Sequence, residues 1–197
     1  MHAPLRCRCG AVRGDVDLDR AYARGTCYCR DCRAYARWLG RMDILDAAGG
    51  TDVVPMAPAG VRITDGAEHV ACMALSPRGP LRWYAACCNT PLGNTARDAR
   101  MAYAGMVTDC LDTAAPGFDA AVGPRGQLVL NTGSATAPVR ATPGAFAMAG
   151  LRIMRGVLPA FLRPPPATPF FDDRGRARQV PVELDATQRA AISANPH

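Results

Sequence analysis

The sequence predicts a mainly β protein: an antiparallel β core stapled by metal, a short helix after a cysteine knuckle, and a C-terminal helix with a tail. Three observations lead there. Short apolar segments broken by Pro- and Gly-containing turns outnumber stretches with helical spacing. Eight of the nine cysteines fall within the first 95 residues, several at chelating spacings. Hydrophobic residues make up 49% of the 197 positions, enough for a real core.

In chain order, Arg6 to Val16 read as a strand entering and leaving a tight turn at Gly10. The knuckle Cys27 to Cys32 comes next. From Asp31 to Gly40, the residues Ala34, Tyr35, Trp38 and Leu39 recur at helical spacing, with Asp31 as N-terminal cap and Gly40 as stop. A meander follows through Thr51–Met56, Val61–Thr64, Glu68–Leu75 and Leu81–Ala86, with further strands at Met101–Val107 and Gln127–Leu130. Gly144 to Leu162 form the long helix, with Phe146, Ile153, Met154, Val157, Phe161 and Leu162 on one side, packed on the core or in a homodimer. Gly150, Gly156 and Pro159 weaken it, and Pro159 predicts a kink. Pro164 to Pro166 then act as a stiff spacer, the polar tail with Phe170 and Phe171 wraps the surface or frays, and its Arg174, Arg176, Arg178 run is a solvated face. The expected division is a β domain over residues 1–136 and a helix-plus-tail region over residues 137–197.

Charge and composition exclude several chemistries. The formal net charge is +6, and all 23 basic side chains are arginine. Without lysine there is no Schiff base, P-loop lysine or lysine general base. Of three histidines, His2 and His197 sit at the chain ends, so a nucleophile–histidine device would rest on His69 alone. The arginines are dispersed and aromatic residues make up only 6%, so no nucleic-acid partner is expected. No apolar run is long enough to cross a membrane and no leader-like segment opens the chain, so the expectation is a cytoplasmic protein without a membrane partner. In a reducing compartment clustered cysteines point to metal before disulfides.

The clusters are Cys7-Arg8-Cys9-Gly10, then Cys27-Tyr28-Cys29-Arg30-Asp31-Cys32, then Cys87-Cys88. Close thiols on sharp turns form the small chelate rings that zinc takes. The spacing lacks the ferredoxin pattern, which favours zinc, with iron left open. Cys72 and Cys110 are expected to pack in the core, as are Trp83 and Tyr84, while Asn89, Thr90 and Asn94 are expected to stabilise the turn after Cys88.

The run Cys7 to Gly14, the knuckle Cys27 to Arg33, and Cys88-Asn89-Thr90-Pro91-Leu92 resemble the glutathione-dependent formaldehyde-activating enzyme family, which includes centromere protein V. The resemblance implies an Mss4-like β fold and one or two zinc ions. Its structural site would use Cys7, Cys9 and Cys88. The fourth family cysteine falls on Ala85, and Cys87 is the available substitute, leaving four sulfur ligands, three plus another group, or no metal. The family's catalytic zinc maps onto Cys27, Cys29 and Cys32 without a gap.

Three thiolates leave a fourth zinc position open, able to take the sulfur or hydroxyl of a thiol–aldehyde adduct. Arg30, Arg33 and Arg37 lie beside the knuckle, and Arg30 and Arg33 are candidates to hold the carboxylates of glutathione or a related small acidic thiol; the bland reading is charge balance and exposure. Tyr28 packs or donates its hydroxyl to the bound group. Two functions remain: a carbon–sulfur lyase acting on a glutathione-type thiol–aldehyde adduct, or a non-catalytic zinc-stapled binding module.

Overall fold

The computed structural model describes residues 1–140, 143–162 and 165–193. Eleven strands form two sheets among these residues, with a few helices. The small sheet has the order β1-β2-β5, from β1 (His2–Arg6), β2 (Arg13–Asp17) and β5 (Val61–Asp65). The large sheet adds β3 (Gly25–Cys27), β4 (Thr51–Met56), β6 (Val70–Ala74), β7 (Leu81–Ala85), β8 (Thr90–Thr95), β9 (Ala104–Val107), β10 (Val129–Leu130) and β11 (Val182–Glu183). Its order is β10-β3-β4-β9-β8-β7-β6-β11. All pairings are antiparallel except the two-residue edge strands β10 and β11. The mainly β expectation holds.

The four expected meander segments are strands, with ends shifted by a residue or two, and Ala67–His69 is a 3-10 turn ahead of β6. They do not form one meander: β5 crosses to the small sheet beside β2 and β4 lies between β3 and β9, so the consecutive neighbours are β6 to β9, a pairing that local pattern does not encode. Arg6 to Val16 resolves into β1, the Gly10 turn and β2. The expected turn after Cys88 is shorter than the sequence implies. Only Asn89 holds a left-handed turn conformation, at φ 54°, while Thr90 and Asn94 belong to β8, between β7 and β9. Pro91 and Gly93 disguised this strand. Pro91 sits opposite Tyr84, where the β7–β8 register shifts, a place that tolerates the missing N–H. Gly93 lies against the Gly105 carbonyl and Met106, with no room for a larger side chain.

Helix α1 (Arg30–Leu39) ends as expected at Gly40, whose φ of 68° suits glycine. Its N-terminal cap is Cys29, not Asp31: the Cys29 Sγ accepts the Cys32 N–H at 3.3 Å. The cap must precede the first helical residue, and the helix begins one position before Asp31. Tyr35 and Leu39 pack α1 against Met73 and Leu75 on one face of the large sheet. Helix α2 (Phe118–Val122) is short, and α4 (Ala186–Ser193), which lies against α1, was not anticipated.

The other face of the large sheet meets the small sheet. Trp83, fully buried, belongs there to one apolar cluster with Leu5, Val16, Val61 and Met106. Its Nε1 donates to Thr95 Oγ1 at 3.0 Å, so its one polar atom is satisfied. Phe170 and Phe171 correct the reading of the tail. They leave the surface and enter this core, with ring centroids 5.1 and 6.2 Å from Trp83. Apolar area buried on an aromatic cluster outweighs the polar sequence around the pair. Arg174, Arg176 and Arg178 stay exposed, as a solvated face should. Of the proline spacer, Pro164 lies outside the described residues.

Helix α3 (Ala145–Val157) passes into a 3-10 segment, Leu158–Leu162, around Pro159, in place of a simple kink. The packing stripe is not the expected one. Ala149 and Val157 are buried and Gly156 lies against the Tyr22 ring, while Phe146, Met154 and Phe161 are exposed and Ile153 is half-buried. Small residues let the backbone approach, and the large side chains point away. No helix among the described residues is long and apolar enough to cross a membrane.

Because Phe170 is buried on Trp83, Phe170→Ala should cost about 3–5 kcal/mol of unfolding free energy. Val180→Ala, at a side chain 91% exposed, should cost little. Denaturant titration of the two variants measures both, and equal losses would contradict a core role for the tail.

Candidate metal centres

Two groups of thiols converge: Cys7, Cys9, Cys87 and Cys88, and Cys27, Cys29 and Cys32. Within each group all sulfurs lie within 4.8 Å of one another. A tetrahedral ion bound by sulfur at about 2.3 Å holds its ligands about 3.8 Å apart, so both arrangements can hold a metal ion.

The first group joins the two sheets. Cys7 follows β1, and a turn closed by Gly10 N–H to the Cys7 carbonyl (2.9 Å) brings Cys9 beside it. Gly10 makes that turn at φ 78°. The Val12 N–H donates to Cys7 Sγ at 3.2 Å and fixes that sulfur's position. Cys87 and Cys88 come from the turn between β7 and β8. Cys87 Sγ stands 3.8 Å from Cys7, 3.4 Å from Cys9 and 3.8 Å from Cys88. Ala85 stays in β7, paired with Thr90 and buried, while Cys87, in the turn that follows, brings its sulfur to the group. The Arg8 N–H donates to Thr90 Oγ1 at 2.9 Å and ties the Cys7 turn to β8. Burial pushes the Cys88 thiol up, but the Thr90 hydroxyl and the Cys9 backbone bring it down to about 6. Burial and the neighbouring Cys9 and Cys88 thiols push Cys87 up.

The second group is local. Cys27 ends β3, Cys29 caps α1 and Cys32 lies in its first turn. The Asn131 amide donates to Cys27 Sγ at 3.3 Å. Bonds from Cys29 and Cys32 hold Cys27 well below the ordinary thiol range, and the Asn131 amide adds to them against burial. The neighbouring Cys27 pushes the Cys29 and Cys32 thiols up in turn. Arg82 acts in the opposite sense on Cys32, favouring its thiolate.

The expected contacts around the knuckle divide. Arg30 is exposed on the rim of a cleft of about 480 Å³ that opens over the three cysteines. Arg33 does not reach outward: it is buried, and its Nη1 donates to the carbonyls of Tyr28 (2.9 Å) and Ser134 (2.5 Å). Tyr28 is buried too, and its hydroxyl donates to Asp46 Oδ2 at 2.9 Å, away from the thiols. Arg37 reaches α4, donating to the Ile192 carbonyl at 3.0 Å. Cys72 and Cys110 are buried, as expected, and stand apart from both groups.

Sequence reading missed three other residues that line the cleft: Arg82, Tyr103 and Asn131. A signal for Arg82 existed. Leu81, Trp83 and Ala85 alternate as the apolar face of a strand, which puts Arg82 on the opposite face. Nothing local could show that α1 covers that face as well. Tyr103 and Asn131 come from segments distant in the chain and had no local signal.

Cys7→Ser should lower both metal content and thermal stability, because that group clips segments 80 residues apart. Cys29→Ser should lower metal content by a similar amount yet leave the folded state largely intact. Elemental analysis with thermal unfolding of both variants checks this, and identical destabilisation would contradict the difference in role.

No curated protein matches the chain. Among solved structures it is similar to the crystal structure of a Rhodobacter sphaeroides protein, with 18% identity and a TM-score of 0.42 over 66% of this chain and 100% of that one. A family model, described as a family of unknown function (DUF6151), matches residues 1–167, and the chain belongs to that family.

Proposed function

We propose that this chain is a zinc protein with two unequal sites, and that the three-cysteine site acts on a thiol–aldehyde adduct of the glutathione type. The observation that carries the reading is the inequality itself: four thiols close one group, while three thiols and an open cleft make the other. The ordered match of Cys7 to Leu92 with the motifs of the glutathione-dependent formaldehyde-activating enzymes supports the same assignment.

Zinc bound by Cys27, Cys29 and Cys32 would supply a Lewis acid and a resting place for a thiolate. The chain's own contribution is to orient the adduct and limit water. In the lyase direction the carbon–sulfur bond breaks and its electron pair leaves with sulfur. The hydroxyl loses its proton to water and becomes the aldehyde carbonyl. Tyr103 lines the same cleft. Burial, with the nearby Cys27 and Cys32, pushes its phenol up to about 12, so it stays protonated at neutral pH. Its hydroxyl can donate a hydrogen bond to the oxygen of the adduct.

A second reading has an observation in its favour. Two of the three side chains expected to touch substrate, Arg33 and Tyr28, are committed to internal hydrogen bonds. That commitment fits a zinc-stapled module that binds without chemistry.

Calorimetric titration with glutathione, with and without formaldehyde, separates the two. The proposed site binds glutathione, and binding is lost in Cys29→Ser. Absence of binding at millimolar glutathione in protein that retains its metal would favour the module.

A further inference from the structure

Arg82 is the most unusual cation in the fold. It lies in β7 with its side chain 5% exposed, inside the wall of the cleft above the three thiols. Its Nε is buried without a hydrogen-bond partner among the described residues. The nearest carboxylate, Asp31 Oδ2, is 4.0 Å from Nη2, and the other Asp31 oxygen faces Arg189 at 3.8 Å. The Tyr35 ring covers the guanidinium at 5.2 Å.

Other buried arginines are treated differently. Arg24 holds Asp52 at 2.7 Å and Asp119 at 2.6 Å. Arg41 also has a buried nitrogen, Nη1, without a partner among the described residues, but its charge is met by Asp43 and Asp109, both at 2.9 Å, and Arg33 holds two carbonyls. A buried guanidinium without close acceptors is costly, and a chain keeps one where a ligand completes it. The planar fork of arginine matches the two oxygens of a carboxylate.

We propose that Arg82 holds the carboxylate of the ligand whose sulfur is taken at the Cys27–Cys29–Cys32 site, which makes that ligand a small thiol with a carboxylate a few bonds from its sulfur. The proposal rests on the metal site with an open position described above, and it moves the anion contact from Arg33 and Arg30 to a residue inside the cleft. Asn94, paired with Arg82 across β7 and β8, and Tyr103 line the remaining wall and offer polar atoms to the same ligand. Arg82 is a positioning residue for specificity: it selects the ligand by its anion and leaves the sulfur to the thiol-lined pole.

The test compares two probes on zinc-loaded protein by calorimetry, 3-mercaptopropionate and its neutral counterpart 3-mercaptopropan-1-ol. Wild type should prefer the carboxylate by about tenfold or more, the scale of a hydrogen-bonded charge pair. Arg82→Met should reduce that preference to near unity with little change for the neutral thiol, while Arg30→Met should keep most of it. A merely structural role for Arg82 would weaken both probes alike and overturn the proposal. Equal wild-type affinities, or a preference that survives Arg82→Met, would overturn it too and leave the open metal position standing. Failure of both probes to bind metal-loaded protein would remove the open position, and the proposal with it. If Arg82→Met does not fold, Arg82→Lys retains the charge without the fork; its preference should fall, and an unchanged preference overturns the proposal.

Discussion

Strand β7 is buried on both faces, and that constraint organises the molecule. Leu81, Trp83 and Ala85 face the small sheet and the Phe170–Phe171 pair, while Arg82 faces α1 and the cleft. The strand then ends in the turn that delivers Cys87 and Cys88. A slip of one residue would drive the guanidinium into the aromatic core and place the indole beside the thiols. The register shift between Trp83 and Tyr84, opposite Pro91, and the Trp83–Thr95 hydrogen bond hold the pairing in place.

The two thiol groups differ in how much chain they close. Cys7 and Cys87 are 80 residues apart and come from different sheets, so a metal ion there restricts a long loop and joins two layers. Closing a long loop removes more freedom from the unfolded chain than closing a short one. Cys27, Cys29 and Cys32 lie within a single turn that α1 and β3 already position. A metal ion adds little constraint there, which leaves the site free to be shaped for a ligand. Asn131 and Arg82 reinforce the difference, since both place positive or hydrogen-bonding character beside the local group.

Arginine carries every basic role in a chain without lysine, and burial sorts those roles. Arg24 and Arg41 anchor carboxylates across elements, Arg33 ties the knuckle to the segment at Ser134, and Arg174 and Arg176 remain in solvent. Only the surroundings distinguish a stapling arginine from a solvated one, because the side chain and its charge are the same. For that reason Arg33 and Arg30 look alike as neighbours of a cysteine motif and end up in opposite environments.

The sequence alone determined the β character, the α1 stop at Gly40, the positions of most strands and the Cys27–Cys29–Cys32 group, but not how the strands pair. Each depends on local periodicity, on glycine's tolerance of positive φ, or on the short reach of neighbouring cysteines. Cys87 was one open possibility for the first group, and only the turn between β7 and β8 decided that its sulfur reaches Cys7 and Cys9. Strand β8 stayed hidden because proline and glycine mark turns locally, whereas here a bulge and a close backbone approach accommodate them. The Phe170–Phe171 pair, the outward face of α3 and the cleft wall of Arg82, Tyr103 and Asn131 were decided by tertiary structure. Each depends on which distant surface covers a residue, and no window of sequence contains that surface.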